Sequence, residues 1–355
     1  MKVYFFTGAL LEGGAERVIS LLSREFVNKE IDVEIVIYKN CPIFYEIDNR
    51  IKVCKIESET KSNNMLKNII WLRKKFQNDA DLVISFLAPF NMLAIFSTLF
   101  SSIPIIVADR NDPKKIPSNF FVRKIRDIIY CFANGVVLQT KTNQEYFSEF
   151  IKKKSCVIYN PIDLKKLQGA ALSANKEKEI VSVGRLMPQK NHIMLIRAFA
   201  NIHQQYPNYK LTIYGDGPER SKLIELAKDL NLSDYISFPG NVKDVHERIL
   251  SSEVFVLSSD YEGMPNALIE AMCLGLPVIS TKVSGATDLI HDYQNGIVID
   301  VNDSNGLVQA LIKFLENETL RNKCAQNAVK LASSLKLDII SDEWIKFIYK
   351  ILDKE

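Results

Sequence analysis

Lys2-Val-Tyr-Phe-Phe-Thr-Gly-Ala-Leu-Leu-Glu-Gly-Gly14 and, far downstream, Glu179-Ile-Val-Ser-Val-Gly-Arg-Leu-Met-Pro-Gln-Lys190 read the same way. Each is an apolar run long enough for a buried strand, too short for a helix, and closed by a glycine-bearing turn. An amphipathic pattern follows the first turn from about Ala15 to Asn28, and then a second apolar run, Val33–Tyr38. After the second turn come a helical pattern over His192–Gln205 and the strand Lys210–Tyr214. Strand, glycine turn, helix and strand, occurring twice, predict an α/β protein of two parallel, doubly wound, Rossmann-like domains.

Outward from these two segments the alternation continues. Strands are expected near Tyr235–Phe238, Val254–Leu257, Pro277–Ser280 and Gly296–Ile299. Leu82 to Ala108 holds no charged residue, but Pro89, Asn91, Ser101, Ser102 and Pro104 interrupt it. It divides into a strand (Leu82–Phe86), a helix (Asn91–Phe100) and a strand (Ile105–Val107) rather than one membrane span. Pro161, after Tyr159-Asn160, and the polar Lys-rich stretch that runs to Lys178 mark a boundary, giving domains at 1–163 and 164–337. Helical patterns at Ser304–Asn317, Thr319–Ser334 and Asp338–Leu352 close the chain. The last carries Trp344, Phe347, Ile348 and Ile351, so residues 338–355 are expected to pack back onto the first domain.

With 355 residues, the chain exceeds the roughly 250–300 at which one core stops growing, which agrees with two domains. Its opening residues run directly into a strand, so no targeting peptide is expected there. The six cysteines are scattered with no Cys-x-x-Cys pair, which argues against structural zinc and a disulfide framework and for a reducing, cytoplasmic setting. The net charge of +3 is unevenly spread: residues 1–170 hold 25 Lys/Arg against 18 Asp/Glu (+7), the remainder 20 against 24 (−4). Lys114, Lys115, Arg123, Lys124 and Arg126 form one basic cluster and Lys152-Lys-Lys154 another. Such clusters are either solvated surface or a face for anionic lipid or a pyrophosphate-bearing substrate. No nucleic-acid module is present in the pattern.

Glu262-Gly-Met-Pro-Asn-Ala-Leu-Ile-Glu270 sets two carboxylates on either side of a helix start, with Pro265 at the first helical position. If all nine residues were helical, the α-carbons would stand about 12 Å apart. That is wide for two carboxyls flanking one glycosidic bond, roughly 5–9.5 Å apart in hydrolases. It suits two grips on one elongated ligand, with the helix N-terminus between them favouring a phosphate. A helix start with two solvated glutamates would look the same. Gly13-Gly14 lets a backbone approach a ligand, but Gly-x-Gly-x-x-Gly is missing, which disfavours a nicotinamide dehydrogenase. No phosphate-loop motif occurs either. Arg185 and Lys190 at a strand-to-helix junction suit an oxyanion that gains charge as a leaving group departs. Asp79-Ala-Asp81 has a metal-holding form but lies at the amino end of its strand, and the four histidines form no ligand-spaced cluster, so no metal is expected.

Gly13-Gly-Ala-Glu-Arg17, Gly184-Arg185 with Lys190-Asn191, Gly215-Asp-Gly-Pro218, Phe238-Pro-Gly-Asn241 and Glu262–Glu270 recur in this order in one family. On these motifs the chain resembles the retaining glycosyltransferases of family 4, most nearly those that build bacterial O-antigen, capsule or lipid-linked oligosaccharide. The resemblance implies the GT-B architecture, two Rossmann-like domains facing each other across a cleft. It also implies transfer of a hexose or N-acetylhexosamine from a UDP-sugar to a glycan acceptor, without cofactor or metal. By position, Glu270 would hold the ribose hydroxyls and Glu262 would face the donor sugar. Arg185 and Lys190 would neutralise the diphosphate, which Gly14 approaches from the first domain. Asn266, Ala267 and Leu268 would offer helix-start amides, Asn241 and Val242 would edge the base, and Asp216 and Gly217 would shape the cleft. One departure stands in Asp109-Arg-Asn-Asp-Pro113: Arg110 falls where many relatives carry histidine. Arginine cannot act as a base at neutral pH, but it can hydrogen-bond a sugar or an acceptor phosphate. The implied setting is peripheral, on the inner face of the cytoplasmic membrane, with the basic clusters of the first domain against anionic lipid. A sugar-nucleotide 2-epimerase of the same architecture and a non-catalytic glycan-binding module are the alternatives.

Overall fold

The computed structural model describes residues 1–62, 64–163 and 176–353. The chain forms two compact units, Met1–Pro161 with Leu335–Glu355, and Ile162–Ser334. Residues 164–175, which carry most of the Lys-rich boundary stretch, lie outside the described residues.

The first unit is built on seven parallel strands: β1 (Lys2–Thr7), β2 (Asp32–Ile37), β3 (Lys52–Lys55), β4 (Leu82–Phe86), β5 (Ile105–Asp109), β6 (Gly135–Leu138) and β7 (Ser155–Val157). Their order is β3-β2-β1-β4-β5-β6-β7, so the direction of winding reverses between β1 and β4. β1 is apolar on both faces because both are covered, as parallel sheets require. Tyr4 and Phe6 pack with Leu72 and Phe76 on one side, while Phe5 meets Phe26 and Phe86 on the other. The terminal helix Leu337–Asp353 lies along the helix Gly14–Asn28. It buries Ile340, Trp344 and Ile348 completely or nearly so and joins Lys29 to Asp342 at 2.6 Å.

The second unit has six parallel strands: β8 (Glu177–Val183), β9 (Lys210–Tyr214), β10 (Ile236–Gly240), β11 (Ser252–Leu257), β12 (Val278–Thr281) and β13 (Ile297–Ile299). They run β10-β9-β8-β11-β12-β13, with the reversal between β8 and β11. The helix His192–His203, with Leu195, Ile196 and Phe199 fully buried, seals one face of this sheet together with Leu307, Leu311 and Phe314.

Several boundaries differ from the sequence reading. β3, β6 and β7, of three or four residues each, stand where the sequence reading placed no strand. The helix expected at Asn91–Phe100 spans Ala88–Thr98, with Pro89 in its first turn, where the missing N–H is harmless. Pro265 is not helical: it is extended (φ −79°, ψ 102°), and the helix begins at Asn266. The separation estimated for nine helical residues therefore does not describe the path from Glu262 to Glu270. Arg126, read as part of a surface cluster, is fully buried, donating to the carbonyls of Ile116 and Pro113 and pairing with Asp127 at 2.8 Å. Lys154 likewise turns inward, onto the carbonyls of Cys131 and Ala133. Asp79 and Asp81 hold the start of β1: Lys2 Nζ reaches Asp79 at 2.6 Å and the Lys2 N–H reaches Asp81 at 2.7 Å.

Candidate active site

In open parallel sheets the loops at the carboxyl ends part where the winding reverses, leaving a crevice for ligands. In the second unit that point lies between β8 and β11, and both of its loops carry charged groups. After β8 the chain passes Gly184 and Arg185, then a single 3₁₀ turn, Pro188–Lys190. Asn191 follows in the left-handed region (φ 47°), a conformation that asparagine tolerates, and caps the helix His192–His203 by accepting from the Met194 N–H. The same side chain donates to Asp260 and Asn302 at 2.8 and 2.7 Å. Gln189 donates to the Tyr261 carbonyl while the Asp260 N–H donates to the Gln189 carbonyl. The loop after β8 is thus stitched to the loop after β11.

This stitching sets one ion pair. Lys190 Nζ lies 2.6 Å from Glu262 Oε1, an oxygen that also accepts from Ser259 Oγ at 2.8 Å. Ser258 Oγ donates to the Lys190 carbonyl. The pair is largely buried, so it is held more firmly than a surface bridge. The Arg185 side chain is exposed and has no hydrogen-bond or ion-pair partner among the described residues. His192, next to this lysine, is buried; desolvation, and then the Lys190 charge, pull its pKa down to about 3, so it is neutral.

The neighbouring loops complete the rim. Gly215 stands at φ +127°, where a Cβ would collide with the Gly184 carbonyl, and the Leu186 N–H donates to the Asp216 carbonyl at 2.9 Å. Asp216 is exposed, its carboxylate accepting from the Gly217 N–H. Asn241 is exposed and Val242 half-buried just past β10. The helix Asn266–Cys273 opens from the loop after β11, but the Leu268 N–H donates to the Pro265 carbonyl at 3.1 Å. Leu268 is thus corrected as an amide donor, because that first-turn bond occupies it. Glu270, one turn further, is 7% exposed and meets His246 Nε2 at 3.1 Å. Burial, and then the Glu270 charge, push the nearby Cys273 thiol up to about 12. Two cations, a helix start and two carboxylates with fixed partners therefore gather at one end of one sheet. That arrangement can hold an elongated polyanion and stabilise charge that develops within it.

Of the remaining candidates, two lie in the first unit. Gly14 is the first residue of the helix Gly14–Asn28, just past β1 at that sheet's reversal. Arg110 follows β5 directly, but the residue is only 6% exposed and its guanidinium is sandwiched 5.4 Å from the rings of both Phe86 and Trp344. Nη1 donates to Asn160 at 3.0 Å, while Nε and Nη2 are unpaired among the described residues. This is a packed side chain rather than one presented to a ligand. Asp109 beside it is also buried, which raises its pKa against the opposing charge of Arg126. The sequence reading missed His246 and Ser259 as partners of the site, and gave Asn191, quoted within a motif, no role of its own. Only Asn191 had a local signal, its place just before a helix.

A family model described as "Glycosyl transferases group 1" matches residues 165–331, and one described as "Glycosyltransferase Family 4" matches residues 12–166. Among curated proteins, an α-1,4-N-acetyl-D-galactosaminyltransferase of Campylobacter jejuni, named for a diphospho-undecaprenol-linked GalNAc glycan, is 28% identical over 99% of both chains. A UDP-Gal:α-D-GlcNAc-diphosphoundecaprenol α-1,3-galactosyltransferase of Escherichia coli is 25% identical over 92% of this chain and 93% of its own. Among solved structures, Anabaena HepE in complex with UDP superposes with a TM-score of 0.82 at 17% identity, over 99% of this chain and 100% of its own. The pneumococcal O-GlcNAc transferase GtfA in complex with UDP and GlcNAc gives 0.82 at 12% identity, over 99% of both chains. At these identities the solved structures speak to the GT-B fold alone.

Proposed function

The chain belongs to the family 4 and group 1 glycosyltransferases, and from that premise we propose that it moves a hexose or N-acetylhexosamine from a UDP-sugar to a lipid-linked glycan, with retention at the anomeric carbon. The observation that carries this reading is the Lys190–Glu262 pair at the winding reversal, with Arg185 exposed beside it and Glu270 one helix turn beyond. A diphosphate fits the two cations and the helix start, and a ribose fits the Glu270 carboxylate that His246 orients. Glu262 keeps Oε1 on Lys190 and Ser259, which leaves Oε2 for a sugar hydroxyl. The named relatives support the classes of donor and acceptor.

In the proposed reaction the bond from the anomeric carbon to the diphosphate oxygen breaks. The acceptor hydroxyl attacks the same face, and its proton passes to the departing phosphate. Lys190 and Arg185 stabilise the growing negative charge, so the scheme needs neither a metal ion nor a side-chain base. Each well-aimed donor is worth about 3–4 kcal/mol in such a transition state. Lys190→Ala should accordingly lower turnover by roughly 10²–10³-fold while the protein stays folded. A near-wild-type rate in the folded variant would sink the assignment. The acceptor lipid would keep the enzyme peripheral at the inner face of the cytoplasmic membrane, and no described helix is long and apolar enough to cross one.

A further inference from the structure

Between β9 and β10 the ladder slips. Ser237 pairs with Thr212 and Gly240 with Tyr214, so two residues, Phe238 and Pro239, stand against Ile213 alone. Bulges are uncommon between parallel strands, and beside ligand sites they re-aim the residues that follow them. The sequence accounts for this one. Pro239 has no N–H to give a ladder, and on an edge strand such as β10 a bulge accommodates it. Gly240 then stands at φ +78°, which a residue with a Cβ rarely adopts, and its carbonyl accepts from the Gly215 N–H at 2.9 Å.

One side chain holds the bulge. Arg220, half-buried at the start of the helix Arg220–Asp229, donates from Nη2 to the Phe238 carbonyl at 2.7 Å. Its Nη1 lies against Gly240, where a Cβ would stand 3.7 Å from it, and this nitrogen is buried with no hydrogen-bond partner among the described residues. A buried cationic donor left unpaired destabilises a fold, and such departures are retained where a site is being positioned. The chain beyond the bulge says which site. Asn241 and Val242 follow, and then the helix Val245–Ile249 brings His246 onto Glu270. The strand order runs the same way, since the cations leave β8 while β9 and β10 lie outward from it. If Glu270 holds the ribose, the group on the far side of that ribose from the diphosphate meets the segment 240–242. That group is the base.

We propose that Arg220 is a positioning residue for the nucleotide base. Through the bulge it fixes the edge, Gly240 to Val242, against which the uracil of a UDP-sugar is told from a purine. Uracil offers two carbonyl oxygens with an N–H between them, and a loop reads such an edge only where its own polar groups are held to within about 0.5 Å. This deepens the proposed function and rests on its assignment of Glu270 to the ribose. It places base selectivity under the control of a side chain that works from beneath the loop.

The test is calorimetric titration of the full chain with UDP and with ADP, which share the ribose and diphosphate and differ in the base. The wild type should favour UDP by about tenfold or more, and Arg220→Met should bring the ratio to within about threefold by weakening UDP alone. Arg220→Lys, whose ammonium can still donate to the Phe238 carbonyl, should recover part of the ratio. Lys228→Met, at an exposed lysine on the same helix, should leave it at the wild-type value. Gly240→Ala strains the bulge without altering Arg220 and should narrow the ratio too, so the test stands even if circular dichroism shows Arg220→Met unfolded. A folded Arg220→Met or Gly240→Ala with the wild-type ratio would overturn the proposal. Equal losses of UDP and ADP affinity would overturn it as well, by making Arg220 a structural residue only. A wild type that binds both nucleotides alike would refute the base selectivity and leave the transferase reading standing, whereas one that binds no UDP would sink that reading and this inference with it.

Discussion

At Lys190 a single ammonium meets one carboxylate oxygen, Oε1 of Glu262, which Ser259 also holds. Glu262 accepts from both Lys190 and Ser259, so it aims the cation as much as it neutralises it. Glu262→Gln keeps the shape and removes the charge, and turnover should fall by about tenfold or more. An unchanged rate in steady-state assays would count against that positioning role. Glu270→Ala should weaken UDP binding, read by calorimetric titration, and unaltered affinity would rule out the ribose contact. His192 makes a different prediction. The fold holds it neutral, with a pKa near 3 against 6.5 in the open chain. Below about pH 6.5 the unfolded chain therefore binds a proton that the folded chain refuses, and stability falls with falling pH. Between pH 6.5 and 5 this linkage costs about 2 kcal/mol, and His192→Gln should flatten that part of the acid limb in urea melts. Parallel acid limbs for the two proteins would contradict it.

The elements that present these residues are turns rather than helices. Gly215 at φ +127° lets the loop after β9 lie directly on the Gly184 carbonyl, which fixes where Arg185 leaves its strand. Gly215→Ala introduces both a strained dihedral and a collision, and should destabilise the second unit by about 1–3 kcal/mol. A thermal melt identical to wild type would show that the loop can move aside. The same economy governs the helix Asn266–Cys273. Pro265 sits one place earlier than helix propensity suggested, and its carbonyl takes the Leu268 and Ile269 N–H groups. Fewer amides are therefore left to face a ligand than a helix counted from Pro265 would offer. The run Leu82–Ala108 shows the opposite case, since its proline, serines and asparagine were enough to divide it correctly into strand, helix and strand.

Over the whole molecule, each unit closes around a sheet whose winding reverses once, and the chain returns at Leu335 to finish the first unit with its last helix. Trp344 is the centre of that return, fully buried against Phe86 and Arg110. Trp344→Ala should cost about 3–5 kcal/mol, seen as a lower urea midpoint, and a midpoint within error of wild type would mean that the helix is an accessory. By itself the amino-acid order determined what is local. Apolar runs of strand length, the glycines and prolines that end them, and the ordered series of charged turns were enough for two doubly wound domains and for the family. What the tertiary structure alone decided is who meets whom. Lys190 and Glu262 are 72 positions apart, and His246 and Glu270 are 24 apart. Arg110 reads as a ligand-facing cation and Arg126 as a surface one until aromatic rings and backbone carbonyls close over them. Phe121, Ile125 and Ile128 on the helix Phe120–Tyr130 look like core residues but stand exposed among the described residues. Burial and pairing depend on side chains brought together from distant strands, and no local pattern of residues records that meeting.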